Sequence, residues 1–234
     1  MNVLIISTHP DDIEINCAGT AAKLIKRGDS VTLCNLCFGS LGHMVIKPAK
    51  LIKIRLTECE AAASIIGAQR LPAISPDLEL YHQDKSTRDK VVDIIRAAIP
   101  DFIITHHPDD YMCDHVAVSK LVFDASFCAS LPHYETAINT IVPICPIYYM
   151  DNLVGFNFEP TEYVDISDMI DIKLQMLSCH QSQLAWMKDH DKIDFAETVK
   201  AFSKTRGLQA GTQYSEGFIQ MRGWGRMTVK RLLP

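Results

Sequence analysis

The chain has 234 residues, 47% of them hydrophobic and 22% charged, which excludes a disordered or low-complexity protein and allows one large domain or two small ones. Its 23 Lys and Arg against 28 Asp and Glu leave a net charge of −5, a poor footing for binding a phosphate backbone, so no nucleic-acid partner is expected. No apolar run reaches the length of a membrane span, and the N-terminus lacks the layout of a secretion signal, so no membrane association is expected either.

In chain order, Asn2–Ser7 reads as a buried strand, Cys17–Arg27 as a helix closed by Gly28, and Ser30–Phe38 as a second strand. Lys50–Ile66 has helical apolar spacing and stops at Gly67, and Arg70–Ile74 is a short strand. Thr87–Ile99 is an amphipathic helix ended by Pro100, followed by the apolar strand Asp101–Thr105. Asp114–Ala129 reads as a helix with Asp114 as its N-cap, its carboxylate accepting from first-turn amides. The proline-interrupted stretch Leu131–Pro146 is an irregular excursion placed as a lid. Pro146–Asp151 and Glu162–Ile166 are strands, Ser167–His180 and Phe195–Thr205 helices, and Gly217–Arg222 a last strand. Apolar strands alternating with helices imply one α/β domain, a Rossmann-like and mostly parallel sheet with helices on both faces. The eight cysteines lie mostly in apolar segments, as reduced core thiols do, and point to a cytoplasmic protein. Cys34 and Cys37 form a lone CxxC on a strand, where such positions face opposite ways, and the second pair that a structural zinc site needs is absent.

In a doubly wound sheet the ligand site lies beyond the carboxyl ends of the strands. Two polar clusters fall there: Thr8-His9-Pro10-Asp11-Asp12-Ile13-Glu14 after the first strand, and His106-His107-Pro108-Asp109-Asp110-Tyr111-Met112-Cys113-Asp114-His115 after Asp101–Thr105. The first lacks the spaced glycines of a dinucleotide loop. Turn and cap chemistry alone could account for His9–Asp12, but adjacent carboxylates at a buried mouth repel, and a divalent cation resolves the conflict. His9, Asp12 and His115 then supply two imidazoles and one carboxylate, a recurrent zinc set with a fourth position for water, implying one Zn²⁺ or another divalent metal per chain. Asp11 is the spare carboxylate, placed to take a proton from water and pass it to a leaving amine in hydrolysis of an amide.

These residues also carry a family resemblance. His9-Pro-Asp-Asp-Ile-Glu14 with Gly19-Thr20 resembles the LmbE-like (PIG-L) de-N-acetylases. So do Gly39-Ser-Leu-Gly-His43, Arg55-x-x-Glu58 with Ala61-Ala62 and Gly67, and Asp109-Asp-Tyr-Met-Cys-Asp-His115. Lys173, His180-Gln-Ser-Gln183 and Tyr214-Ser-Glu-Gly-Phe218 complete the order over nearly the whole chain. The resemblance implies the same metal ligands, His9, Asp12 and His115, the same general base, Asp11, and Arg55 facing the substrate. It implies a small N-acetylated substrate, most often an N-acetylglucosamine conjugate, and relatives that occur as monomers and as ring-like homo-oligomers. One position departs. Where the family carries a histidine that stabilises the oxyanion or protonates the leaving amine, this chain has Met112, and a thioether has no proton to give. Tyr111, His107, His43 and His180 are the candidates to replace it; alternatively Asp11 makes both proton transfers, or the chain binds metal without turnover or acts on another amide.

Overall fold

In a computed structural model describing residues 1–234, the run Asn2–Ser7 forms β1, buried from its second residue onward. The other strands are β2 (Ser30–Asn35), β3 (Gln69–Arg70), β4 (Phe102–Thr105), β5 (Ile147–Met150), β6 (Glu162–Asp165) and β7 (Ser215–Gln220). They form one sheet in the order β3-β2-β1-β4-β5-β7-β6. β3, β2, β1, β4 and β5 run parallel, whereas β7 is antiparallel to both of its neighbours. No helix is long and apolar enough to cross a membrane.

Side-chain alternation along the strands divides the core in two. Leu4, Ile6, Cys34, Ile103, Ile147 and Tyr149 face one way, packed with Val91, Ile95, Val118 and Val122. These last come from α4 (Lys85–Ala98) and α5 (Cys113–Cys128). Val3, Ile5, Val31, Leu33, Phe102, Ile104 and Tyr148 face the other way. They are covered by α1 (Asp12–Asn16), α2 (Ala18–Lys26), part of α3 (Pro48–Ile66) and α6 (Ile170–Ser178). α7 (Gln181–Trp186), a π turn over Met187–Asp191 and α8 (Phe195–Ala210) complete that side.

Local signals act as expected at several ends. Asp84 caps α4 through Thr87 N, Pro48 starts α3, and Gly67 closes it with φ 72°. The expected helix Cys17–Arg27 is α2, and a short helix that was not expected, α1, precedes it, the two separated by a break at Cys17 (φ −150°, ψ 14°). The unpaired amides at the start of α2 are capped from the far end of the chain. Glu216 Oε1 accepts from Gly19 N at 2.9 Å and Oε2 from Thr20 N at 2.7 Å, while Lys173 Nζ reaches the same carboxylate at 2.7 Å. Gly19 also lets Ile166 pack close against α2, since a Cβ there would sit 2.7 Å from Ile166 Cγ2. The strand expected over Ser30–Phe38 ends at Asn35, so Cys37 turns onto the same core as Cys34, and the two do not face opposite ways. The segment 131–146 is irregular, but it is no lid: Arg96 holds it from below through Thr136 Oγ1, Ile138 O and Leu131 O, and none of it reaches the cavity described below.

Replacing Glu216 by Ala leaves Lys173 buried without its counter-charge and uncaps α2. Urea denaturation should show a loss of about 3–5 kcal/mol, and a loss below about 1 kcal/mol would contradict the cap.

Candidate active site

β1 and β4 are neighbours in register, Val3 beside Phe102 and Ile5 beside Ile104. The chain leaves β1 for α1 and α2 on one face and leaves β4 for α5 on the other, so their carboxyl ends open a crevice. In the turn after β1, Asp12 Oδ2 accepts from Thr8 N at 3.2 Å and His9 N at 2.6 Å, and Asn35 Nδ2 donates to His9 O at 2.8 Å. This bracing holds Asp11 at φ 104°, ψ −24°, a conformation that non-glycine residues avoid and that marks functional turns.

Donor atoms of His9, Asp12 and His115 all lie within 4.8 Å of one another. His115 Nε2 is 3.4 Å from Asp12 Oδ1, and His9 Nδ1 is 3.8 Å from Asp12 Oδ2. Each imidazole is oriented from behind by a carboxylate: Asp110 Oδ2 lies 3.2 Å from His115 Nδ1, and Asp114 Oδ2 lies 3.2 Å from His9 Nε2. His115 Nε2 and Asp11 Oδ2 are buried with no hydrogen-bond partner. Two imidazoles and a carboxylate, oriented by outer carboxylates and converging with His115 Nε2 left unpaired, fit a divalent cation.

Burial and the neighbouring Asp12 charge push the Asp11 carboxyl up to about 7, against the pull of Arg55 and His180. Burial also opposes ionisation of Asp12, but His115 and His106 hold it well below the usual carboxylate range. Burial lowers His115, yet Asp12 and Asp110 overcome it and raise the imidazole to about 10. The two adjacent carboxyls are thus driven apart, one ionised and one poised near neutrality.

Above this cluster lies a cavity of about 370 Å³. Its lining includes His9, Asp11, Asp12 and His115, and, of the residues expected to meet substrate, Arg55 and Tyr111. Arg55 Nη2 donates to Gly42 O at 2.9 Å and to Gln183 Oε1. Gly39, at φ 69°, makes room for it, because a Cβ there would lie 2.5 Å from Arg55 Cδ. Glu58 accepts from Ser182 N and Oγ, both at 2.7 Å, and so ties the start of α7 to α3.

Two expected substrate residues lie outside the lining. His43 turns back into its own loop, where Nδ1 accepts from Val45 N and Ile46 N at 3.1 Å. His180 is buried off the cavity with Nε2 3.3 Å from Glu14 Oε2, and acts on Asp11 through charge. His107 stands edge-on to Tyr149 and Phe158. Of the candidates to replace the histidine at Met112, only Tyr111 therefore lines the cavity. Asp114 is not an N-cap: α5 begins after Met112, and the Asp114 carboxylate instead receives Leu78 N at 2.8 Å and faces His9. Sequence reasoning also missed His106, which stacks on His115 with ring centroids 3.9 Å apart and sits 3.2 Å from Asp12. Asp110, Asp77, Asn16 and Gln183 were missed too. His106 and Asp110 carried a signal in their place in the cluster after β4, and Gln183 in the block His180-Gln-Ser-Gln183; Asp77 and Asn16 carried none.

Residues 4–126 match the family model described as PIG-L: GlcNAc-PI de-N-acetylase. A diacetylchitobiose deacetylase of Thermococcus kodakarensis is 29% identical over 226 residues, spanning 92% of this chain and 81% of the relative. A 4-oxalmesaconate hydratase of Pseudomonas putida is 26% identical over 228 residues, spanning 92% of this chain and 87% of the relative. The solved N,N'-diacetylchitobiose deacetylase from Pyrococcus horikoshii superposes with a TM-score of 0.82 at 24% identity, over 94% of this chain and 83% of that one.

Two outcomes follow from the cluster. Below pH 10 a cation must displace the proton on His115, so its affinity should rise about tenfold per pH unit for each proton released between pH 6 and 8. Titration calorimetry with Zn²⁺ in two buffers of different ionisation enthalpy counts those protons, and a flat profile would contradict the assignment. Asp110→Ala should weaken Zn²⁺ binding about 10–100-fold by releasing the His115 ring, measured by competition with a chelator.

Proposed function

The chain belongs to the PIG-L family, and we propose that it is a divalent-cation-dependent N-deacetylase acting on a small N-acetylated amino-sugar conjugate. The observation that carries this reading is Asp11: a buried carboxylate, unpaired at Oδ2, in a strained turn beside the His9, Asp12 and His115 donors. Zn²⁺ suits that donor set best. When bound, such a cation supplies Lewis-acid polarisation of the amide oxygen and lowers the pKa of water. Asp11 takes a proton from the attacking water and delivers it to the departing amine, giving acetate and a free amino group. Asp12 stays ionised, so the shared proton belongs to Asp11. Arg55, held by Gly42 and Gln183, keeps a fixed positive charge at the cavity wall.

With Met112 offering no proton, the phenol of Tyr111 is the group of its block, apart from the metal donor His115, that lines the cavity with a proton to give. Burial and the charges of Asp110, Asp12 and Asp11 push it up to about 12, so it stays protonated at neutral pH. Motif blocks from His9 to Gln183 line one cavity, which supports a single catalytic domain. All eight cysteines are free, in keeping with a reducing, cytoplasmic setting.

A second reading, hydration of an unsaturated acid, comes from the hydratase relative. Charge weighs against it. Arg55 is the one Lys or Arg in the lining, against Asp11, Asp12 and Asp77, so with a divalent cation the cavity is close to neutral and suits an uncharged sugar better than a polyanion.

Asp11→Asn should keep its bound Zn²⁺ while losing about 10²–10⁴-fold in acetate release from N,N'-diacetylchitobiose. Unchanged turnover would overturn the assignment of Asp11, and consumption of 4-oxalmesaconate without acetate release from any N-acetylated sugar would favour hydration.

A further inference from the structure

Asn16 is the last residue of α1, one helical turn beyond Asp12, 4% exposed, and part of the cavity lining. Its Oδ1 is buried without a hydrogen-bond partner. The other amide and carboxylate groups of the upper wall are engaged: Asp77 receives Gly39 N and Leu41 N at 2.8 Å, and Gln183 Oε1 receives Arg55. An amide oxygen buried unpaired costs folding free energy, and the neighbouring Ile15 shows what this end of α1 otherwise does, since it packs with Leu177, Phe195 and Val199. A polar side chain that weakens the fold and faces the reacting cavity is a candidate for recognition. Arg55 Nε is also buried and unpaired at that cavity, so the wall presents an unused acceptor and an unused donor. A hydroxyl-bearing ring complements both, because each hydroxyl can donate and accept.

We propose, on the footing of the N-deacetylase reading, that Asn16 is a substrate-binding residue whose carboxamide oxygen accepts from a ring hydroxyl of the amino sugar. It stands one turn from Asp12 on a helix anchored by the Asp11–Asp12 turn. The contact therefore sets the position of the ring relative to the carboxylate that moves the proton. Asn16 is thus a specificity determinant for hydroxylated substrates, independent of the metal ligands.

The test compares wild type with Asn16→Ala and Asn16→Ser, all loaded with Zn²⁺. Urea denaturation without substrate is read alongside kcat and KM for acetate release from N,N'-diacetylchitobiose. Asn16→Ala should be as stable as wild type or more so, with kcat/KM reduced about tenfold or more, and Asn16→Ser, which keeps an acceptor, should recover part of that loss. A drop in the stability of Asn16→Ala would mark the amide as structural and overturn the proposal. Unchanged kcat/KM in an active background would overturn it while leaving the deacetylase reading intact. A wild-type chain that releases no acetate would sink that reading and, with it, this role for Asn16.

Discussion

Two carboxylates on consecutive residues, buried at the mouth of a parallel sheet, are the constraint on which this structure turns. In water Asp11 and Asp12 would repel weakly; with the solvent excluded, the same repulsion forces one of them to keep its proton or to find a cation. The chain does both. His115 and His106 hold Asp12 ionised, while burial and the Asp12 charge carry Asp11 to about 7. The pair is therefore split into an ionised carboxylate and one that titrates near neutrality by surroundings alone.

The rest of the molecule keeps that pair in place. The turn between them is braced by Asn35 from β2, and the imidazoles are aimed by Asp110 and Asp114 from the opposite strand end. The helix pair that follows is clamped by Glu216 and Lys173, contributed by the far end of the chain. Because β7 is antiparallel, its residues Ser215–Gly217 run back along the sheet and can deliver Glu216 to the start of α2. The same folding-over brings Gln183 against Arg55 and Trp186 and Met187 to the cavity rim.

Much of this was legible from local pattern. The apolar runs at 2–7 and 101–105, the stops at Gly67 and before Pro100, and the polar clusters after two strands sufficed to bring His9, Asp12 and His115 together as one candidate donor set, because each signal is carried by neighbours in sequence. The misses have identifiable causes. Asp114 has the right chemistry for an N-cap, but a carboxylate goes to the stronger partner, and His9, 105 positions away, outcompetes its own helix. The helix α1 gives little periodic signal over five residues, and His43 turns inward onto amides in its own loop. The short helix α7 gives little periodic signal over six residues and is held by Glu58.

By itself, the sequence determined the α/β alternation, the two strand ends that carry polar clusters, and a candidate donor set of two histidines and one aspartate beside a second aspartate. Those properties depend on residue type and short-range spacing. Only the tertiary structure decided which polar groups share the cavity: Tyr111 rather than His43, His107 or His180, Asn16 unpaired at the wall, and Arg55 fixed by Gln183. Hydrogen-bond partners and desolvation depend on what the fold packs alongside each group, and residues over a hundred positions apart supply that surrounding.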